Sequence, residues 1–165
     1  MANRTMEIKN SSVPDLSQIT DYLYLGAWPS AMHIDQIEAL GVRLVLAMHY
    51  RRPPATLWKS HIQVLWLPTI DSPLTPIPLS YLKRGVQAAL PVIQEGGAVF
   101  VHCKYGVHRS AAMACCVLVG NGYTSEAAMD LIKEKRPIAD PHVQYLQSRI
   151  RLFEQQFHTI SVEGW

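Results

Sequence analysis

In the stretch "FVHCKYGVHRS", Phe100 to Ser110, a cysteine is followed six positions later by an arginine and then at once by a serine. A thiol attacks only as its thiolate, and a cation together with a turn of backbone N–H groups lowers a cysteine pKa to roughly 3.5–7.5. The turn here is Cys103 to His108, and Gly106 permits the backbone conformation that a sharp bend demands. Its successive N–H groups, with those opening a helix at Arg109, make a hollow suited to an oxyanion. The Arg109 guanidinium is a planar fork matched to two phosphoryl oxygens. These parts suit in-line attack of the Cys103 sulfur on a tetrahedral phosphate, where position and charge supply most of the catalysis.

Attack by sulfur leaves two protons to manage. The departing oxygen needs an acid, and Asp71, in the loop after "VLWLP", is the candidate; as a carboxylate it then activates water against the thiophosphate. The sulfur must later leave as thiolate, and the Ser110 hydroxyl is placed to donate to it. His102 reads as a donor that holds the loop and favours thiolate rather than as a base.

Each of these residues has a plainer use. A cysteine ending a strand is most often simply buried, and the offsets of His102, Gly106, Arg109 and Ser110 argue against that here. Zinc on Cys103, His102 and His108 has the right residue types but no second cysteine pair at metal-site spacing. Asp71 alone would pass for a turn carboxylate, and its place after a strand end favours the acid. Cys115 and Cys116 lie in a helix of small residues and read as core. Asp35 and Asp130 sit on helices and read as solvent-facing. No metal or other cofactor is expected.

Strands and helices must alternate to hold these groups. "YLYLG" (22–26) reads as a strand, and "SAMHIDQIEAL" as a helix capped by Ser30, with Ile34, Ile37 and Leu40 on its buried face and Gly41 as its stop. "VRLVLAM" is a buried strand, and "HYRRPPATLWKSH" a loop whose prolines exclude a central strand. "IQVLWL" is a strand ended by Pro68, and "TIDSPLTPIP" a loop. "LSYLKRGVQAALPVIQ" is an amphipathic helix with Leu82, Val86 and Leu90 in register and a kink point at Pro91. "GAVFVHC" is a buried strand and "SAAMACCVLVG" the helix packed beneath it. "TSEAAMDLIKEKRP" is a helix capped at Thr124 or Ser125. "DPHVQYLQSRIRLFEQQF" is a last helix opening at Asp140 and Pro141. The expected fold is α/β: a single domain with a mostly parallel central sheet flanked by helices. Cys103 then lies at the carboxyl end of a strand, where such sheets bind ligands.

Composition agrees with one folded domain. The chain has 165 residues, nearly half of them apolar and 17% charged, without repeats or low-complexity tracts. The domain is expected over residues 15–158, with 1–14 an N-terminal segment and 159–165 a C-terminal tail. A net charge of +2 and the lack of a long basic track argue against nucleic acid as a partner. Three cysteines, two of them adjacent, make a poor disulfide framework and point to a reducing, cytoplasmic setting. No apolar run has the length of a signal core or a transmembrane segment. A monomer is plausible.

"HCKYGVHRS" resembles the signature of the cysteine-dependent protein tyrosine phosphatase superfamily, in which His-Cys, five residues and Arg-Ser recur. "ITDYLYLGAWPSA", "LGVRLVL", "LPTIDSP" and the last helix resemble its compact dual-specificity branch. The resemblance implies Cys103 as nucleophile, Arg109 as phosphate clamp, Asp71 as general acid and Ser110 as helper in thiolate departure. It also implies a shallow pocket and a protein phosphatase acting on phosphotyrosine and on phosphoserine or phosphothreonine. A rhodanese-like domain also uses a cysteine loop, but Asp71 and the wider match argue against it.

The loop departs from the usual small residues at Tyr105, Val107 and His108. Lys104 resembles the basic residue of the phosphoinositide-phosphatase branch, whereas Val107 lacks that branch's second lysine. Arg51 and Arg52, after "VRLVLAM", join Lys104 and His108 as a candidate substrate rim, although an arginine pair also serves simply to solvate a loop. Such cations favour a polyanion. The alternative substrate is therefore a phosphoinositide, an inositol phosphate or another small polyanionic phosphate, with an RNA 5′-phosphate in the same space. A module that binds phosphate without turnover is the non-enzymatic alternative, and the joint presence of Cys103, Arg109 and Asp71 speaks against it.

Overall fold

A computed structural model describes residues 11–163, with side chains placed for residues 11–158. Four apolar runs form parallel neighbours: β2 (Leu23–Gly26), β3 (Val42–His49), β4 (Gln63–Thr69) and β5 (Ala98–His102). A further strand, β1 (Leu16–Thr20), pairs antiparallel with β2 and makes one edge, giving the order β1-β2-β5-β3-β4.

Alternation along a strand sends successive side chains to opposite faces. On β5, Val99 and Val101 join the larger core, beneath helices α3 (Leu79–Gln94), α4 (Arg109–Gly120), α5 (Ser125–Lys135) and α6 (Gln144–Glu163). Ala98 and Phe100 join the smaller core, with Ile34 and Ile37 of α1 (Ile34–Ala39) and Leu57 of α2 (Ala55–Trp58). The same alternation parts His102 from Cys103. His102 lies tilted beside Phe100 on the face of the smaller core, 5.5 Å between ring centroids, and Cys103 falls in the larger cluster. The register pairs His102 with Gly26 and with Ala47, and His49 with Thr69, so the loops after β2, β3, β4 and β5 all emerge at one end of the sheet.

Several boundaries differ from the sequence reading. β1 was not expected: "LSQIT" alternates weakly and has a paired neighbour on only one side. β4 runs through Pro68 to Thr69 instead of ending before it, since an edge strand has one side on which a missing N–H costs nothing. Within the expected 49–61 loop, Ala55–Trp58 forms a helical turn, with Pro54 preset in φ before it. The helix expected from Ser30 opens as a 3-10 turn, Ala31–His33, and Leu40 is exposed rather than packed, lying beyond the last helical residue. The last helix begins at Gln144, after a turn in which the Asp140 N–H donates to the Val107 carbonyl at 2.8 Å. α3 is continuous through Pro91. Thr124 caps α5, its hydroxyl accepting from the Ala127 N–H. Of the expected N-terminal segment, residues 1–10 lie outside the described residues; α6 carries the backbone past residue 158 to Glu163.

Candidate active site

The turn between β5 and α4 is held from outside by its carbonyls. The Cys103 carbonyl faces Nδ1 of His102 at 3.3 Å, and that of Lys104 accepts from the Trp28 N–H at 3.2 Å. The Tyr105 and Gly106 carbonyls accept from Nη2 and Nε of Arg136, at 3.0 and 2.9 Å, and the Val107 carbonyl from the Asp140 N–H. With five successive carbonyls engaged outwards, the turn is left to present its N–H groups to its own hollow. There the Gly106 N–H reaches Sγ of Cys103 at 3.3 Å and the Ser110 hydroxyl lies 3.1 Å from it.

Gly106 is the residue this turn cannot exchange. Its φ is +67°, and a Cβ would stand 2.5 Å from the Gly26 carbonyl carbon and 2.9 Å from Nη2 of Arg136. Gly106→Ala is expected to cost about 2–4 kcal/mol, from left-handed strain and overpacking against backbone. Thermal unfolding checks this; an unchanged midpoint would contradict it.

Burial pushes the Cys103 thiol up, but hydrogen bonds from the Ser110 hydroxyl and N–H, the Arg109 charge and the Gly106 N–H outweigh it. The net displacement is downwards, towards thiolate. Cys115 and Cys116 have burial without those donors and are pushed up, so they are inert core thiols. Arg109 is buried and anchored by Nη1 to the Thr69 carbonyl at 2.8 Å, while its buried Nε has no partner among the described residues. A phosphoryl oxygen would satisfy that donor.

His102 is fully buried between the rings of Trp28 and Phe100, and burial, ahead of all other influences, pushes it down to about 4. It is therefore neutral near pH 7. Since a carbonyl only accepts, the His102 proton sits on Nδ1, facing the Cys103 oxygen. The separation of His102 and Cys103 onto opposite faces of β5 also removes the geometry for a shared zinc. Among the described residues, no group of three or more His, Cys, Asp or Glu side chains is gathered as a metal site.

Asp71 comes to the loop from the end of β4. Both its oxygens are engaged: Oδ2 with Nδ1 of His108 at 2.9 Å, and Oδ1 by the Tyr145 hydroxyl at 2.7 Å. Burial raises the carboxyl, but these two hydrogen bonds and the charges of His108 and Arg109 lower it further, leaving it below the ordinary carboxylate value.

The candidate rim divides. Arg51 and Lys104 are near enough to His49 that, after burial and Arg109, their charges help push it down to about 4. The His49 ring bridges them to the turn: its Nδ1 accepts from the Arg51 N–H at 3.0 Å, and Trp28 packs against it at 5.0 Å. Arg52 instead lies over the Trp58 ring of α2, 4.9 Å from its centroid. His108 belongs to the Asp71 side of the site.

Four participants escaped the sequence reading. Tyr145 lies within the last helix, where no local pattern sets it apart, and Thr69 contributes a backbone carbonyl, which no side-chain pattern reveals. His49 was one more loop residue. Arg136, in "KEKRP", carries no local mark of its role, yet it is buried and also donates to Asp15 and Ser17 at 3.0 and 3.1 Å.

Residues 23–156 match the family described as "Dual specificity phosphatase, catalytic domain". Dual specificity protein phosphatase 1-B of Xenopus laevis is 29% identical over 140 residues, 84% of this chain and 37% of that protein. Human dual specificity phosphatase 28 is 28% identical over 144 residues, 86% of this chain and 79% of that protein. This chain thus spans little more than a third of the length of the frog relative. The crystal structure of PTPMT1 superposes with a TM-score of 0.80 at 24% identity, covering 90% of this chain and 99% of that one. The crystal structure of PTPMT1 in complex with PI(5)P gives 0.76 at 25% identity, covering 88% and 98%.

Proposed function

The chain belongs to the dual-specificity phosphatase catalytic-domain family, a branch of the cysteine-based phosphatases, and we propose that it hydrolyses a small polyanionic phosphate monoester through a phosphocysteine. In this reading Sγ of Cys103 attacks phosphorus in line and the P–O ester bond breaks as the P–S bond forms. The loop N–H groups and Arg109 hold the phosphoryl oxygens. Asp71 handles the proton that the leaving oxygen takes, and then the one that the attacking water gives up. The P–S bond breaks in the second step, and the Ser110 hydroxyl donates to the departing thiolate.

The observation that carries the substrate class is the placing of Arg51 at His49, its N–H donating to Nδ1 at 3.0 Å, where the charges of Arg109, Arg51 and Lys104 are all felt. A second phosphate or sugar-phosphate group there meets two more cations, each resting on a neighbouring aromatic ring, Arg51 over Tyr50 and Lys104 over Tyr105. The likeness to PTPMT1, solved with PI(5)P, supports the same class. A protein phosphate is the second reading, supported by the protein phosphatases among the relatives.

Phosphate release from a soluble phosphoinositide, its free inositol headgroup and phosphotyrosine and phosphothreonine peptides decides between them. The polyanions are expected to give the higher kcat/KM. The double variant Arg51→Ala/Lys104→Ala should lower it by about 10–100-fold, the scale of two partly exposed charged contacts, with a much smaller loss on peptides. Preference for the peptides, or equal losses on both classes, would return the protein reading to first place.

A further inference from the structure

An acid must carry a proton, yet the acid of this site stands between a hydroxyl that donates to it and an imidazole nitrogen. The Tyr145 hydroxyl donates to Oδ1 of Asp71, and His108 presents Nδ1 to Oδ2. A carboxylate so held is the ionised form, in keeping with its lowered pKa. The nearest source of the leaving group's proton is then a group that Asp71 already touches. Tyr145 is a poor source, because burial and the bonded carboxylate raise its hydroxyl. His108 is the remaining contact, and it belongs to the phosphate turn itself, one residue before Arg109.

We propose that His108 is the proton reservoir of the acid step, passing its Nδ1 proton through the Asp71 carboxylate to the leaving oxygen. This rests on the assignment of Asp71 as the acid in the reading above. In the first half-reaction the imidazolium loses its Nδ1 proton to Asp71, Asp71 gives a proton to the ester oxygen, and the P–O bond breaks. The products are a neutral alcohol, a neutral imidazole and a carboxylate. In the second half-reaction the attacking water yields its proton to Asp71, which returns it to His108 as the P–S bond breaks. Tyr145 is a positioning residue: it keeps Oδ1 fixed while Oδ2 exchanges the proton. The pair is about one-third exposed on each side chain, so bulk water can also recharge it.

Only the imidazolium is competent, since a neutral imidazole that gave up Nδ1–H would become an anion. Against His108 stand Asp71 from the loop after β4 and the Tyr145 ring of α6, 6.2 Å between centroids; the Arg109 charge acts on both Asp71 and Tyr145, and that of Asp140 on Tyr145. Turnover of esters with poor leaving groups should therefore fall as pH rises, while an ester of a strongly acidic phenol, which leaves unaided, should be far less affected.

The test is the pH profile of kcat/KM for an alkyl and an activated aryl phosphate, in the wild type, His108→Asn and Asp71→Asn. Asparagine keeps an N–H donor towards Asp71 but releases no proton. His108→Asn is expected to lose about 100-fold on the alkyl ester, the lower end of general-acid contributions, with a loss at least tenfold smaller on the aryl ester and no alkaline limb of its own. The wild-type alkyl reaction in mixtures of light and heavy water should give a curved rate plot, from two protons in flight. Equal losses on both esters, an unchanged alkaline limb or a linear plot would overturn the proposal. Should Asp71→Asn turn over the alkyl ester normally, the acid assignment itself fails; with Asp71→Asn impaired and His108→Asn intact, only the reservoir does.

Discussion

Cys103→Ser is expected to lower phosphate release by about 10⁴-fold or more, the scale of removing a catalytic nucleophile, while inorganic phosphate still binds. The reason lies in what surrounds the sulfur. Ser110 at 3.1 Å, the Gly106 N–H at 3.3 Å and the Arg109 charge together hold a thiol below its ordinary pKa despite nearly complete burial. The same surroundings do not bring a serine hydroxyl within reach of ionisation at neutral pH, so the variant keeps the hollow and loses the attacking atom. The phosphate-binding parts are separate: the outward-held carbonyls of the turn and the Thr69 anchor of Arg109 do not involve Sγ. Phosphate release and equilibrium phosphate binding, measured on the same preparation, check both halves. Turnover close to wild type would remove Cys103 from the chemistry.

Arg136→Met is expected to lower stability by about 2–4 kcal/mol, the scale of leaving two turn carbonyls without their donor, and to lower the unfolding midpoint by about 10 °C. Arg136 is 3% exposed and fans four bonds across the fold. Two go to consecutive carbonyls of the phosphate turn and two to Asp15 and Ser17, the latter within β1. Methionine fills much of the volume and satisfies none of them. The Tyr105 and Gly106 carbonyls would lose the donor that turns them outwards, so activity should fall more than the loss of folded protein alone explains. Calorimetry with kcat measured well below the midpoint separates the two effects. A stable variant with normal kcat would show that the turn holds its shape without the arginine.

The readable part of this molecule was the part in which one local pattern specifies one local structure. Continuous apolar runs marked β3 and β5, and the offsets of Cys103, Gly106, Arg109 and Ser110 marked the turn. The unreadable part depends on partners distant in sequence. β1 is a strand because β2 lies beside it, and its own five residues carry little signal. Pro68 sits inside a strand because β4 is an edge, a fact of topology and not of the residue. Arg136 is 30 residues from Gly106 and 121 from Asp15, so no window of sequence contains its role. Tyr145 meets Asp71 across 74 residues, and its place on a helix face made it look like one more packing position. The rim shows both cases: Lys104 was fixed near the site by adjacency to Cys103, whereas the two neighbouring arginines part company, Arg51 towards His49 and Arg52 towards Trp58.

The most direct measurement is mass analysis of the peptide containing Cys103 after rapid acid quench of Asp71→Asn turning over an activated aryl phosphate. That substrate forms the intermediate without an acid, and the variant lacks the carboxylate that would activate water against it. The account predicts one phosphoryl group accumulating on Cys103 within the first turnover. Its appearance on another residue, or phosphate release with no phosphorylated protein at any quench time, would contradict a phosphocysteine mechanism.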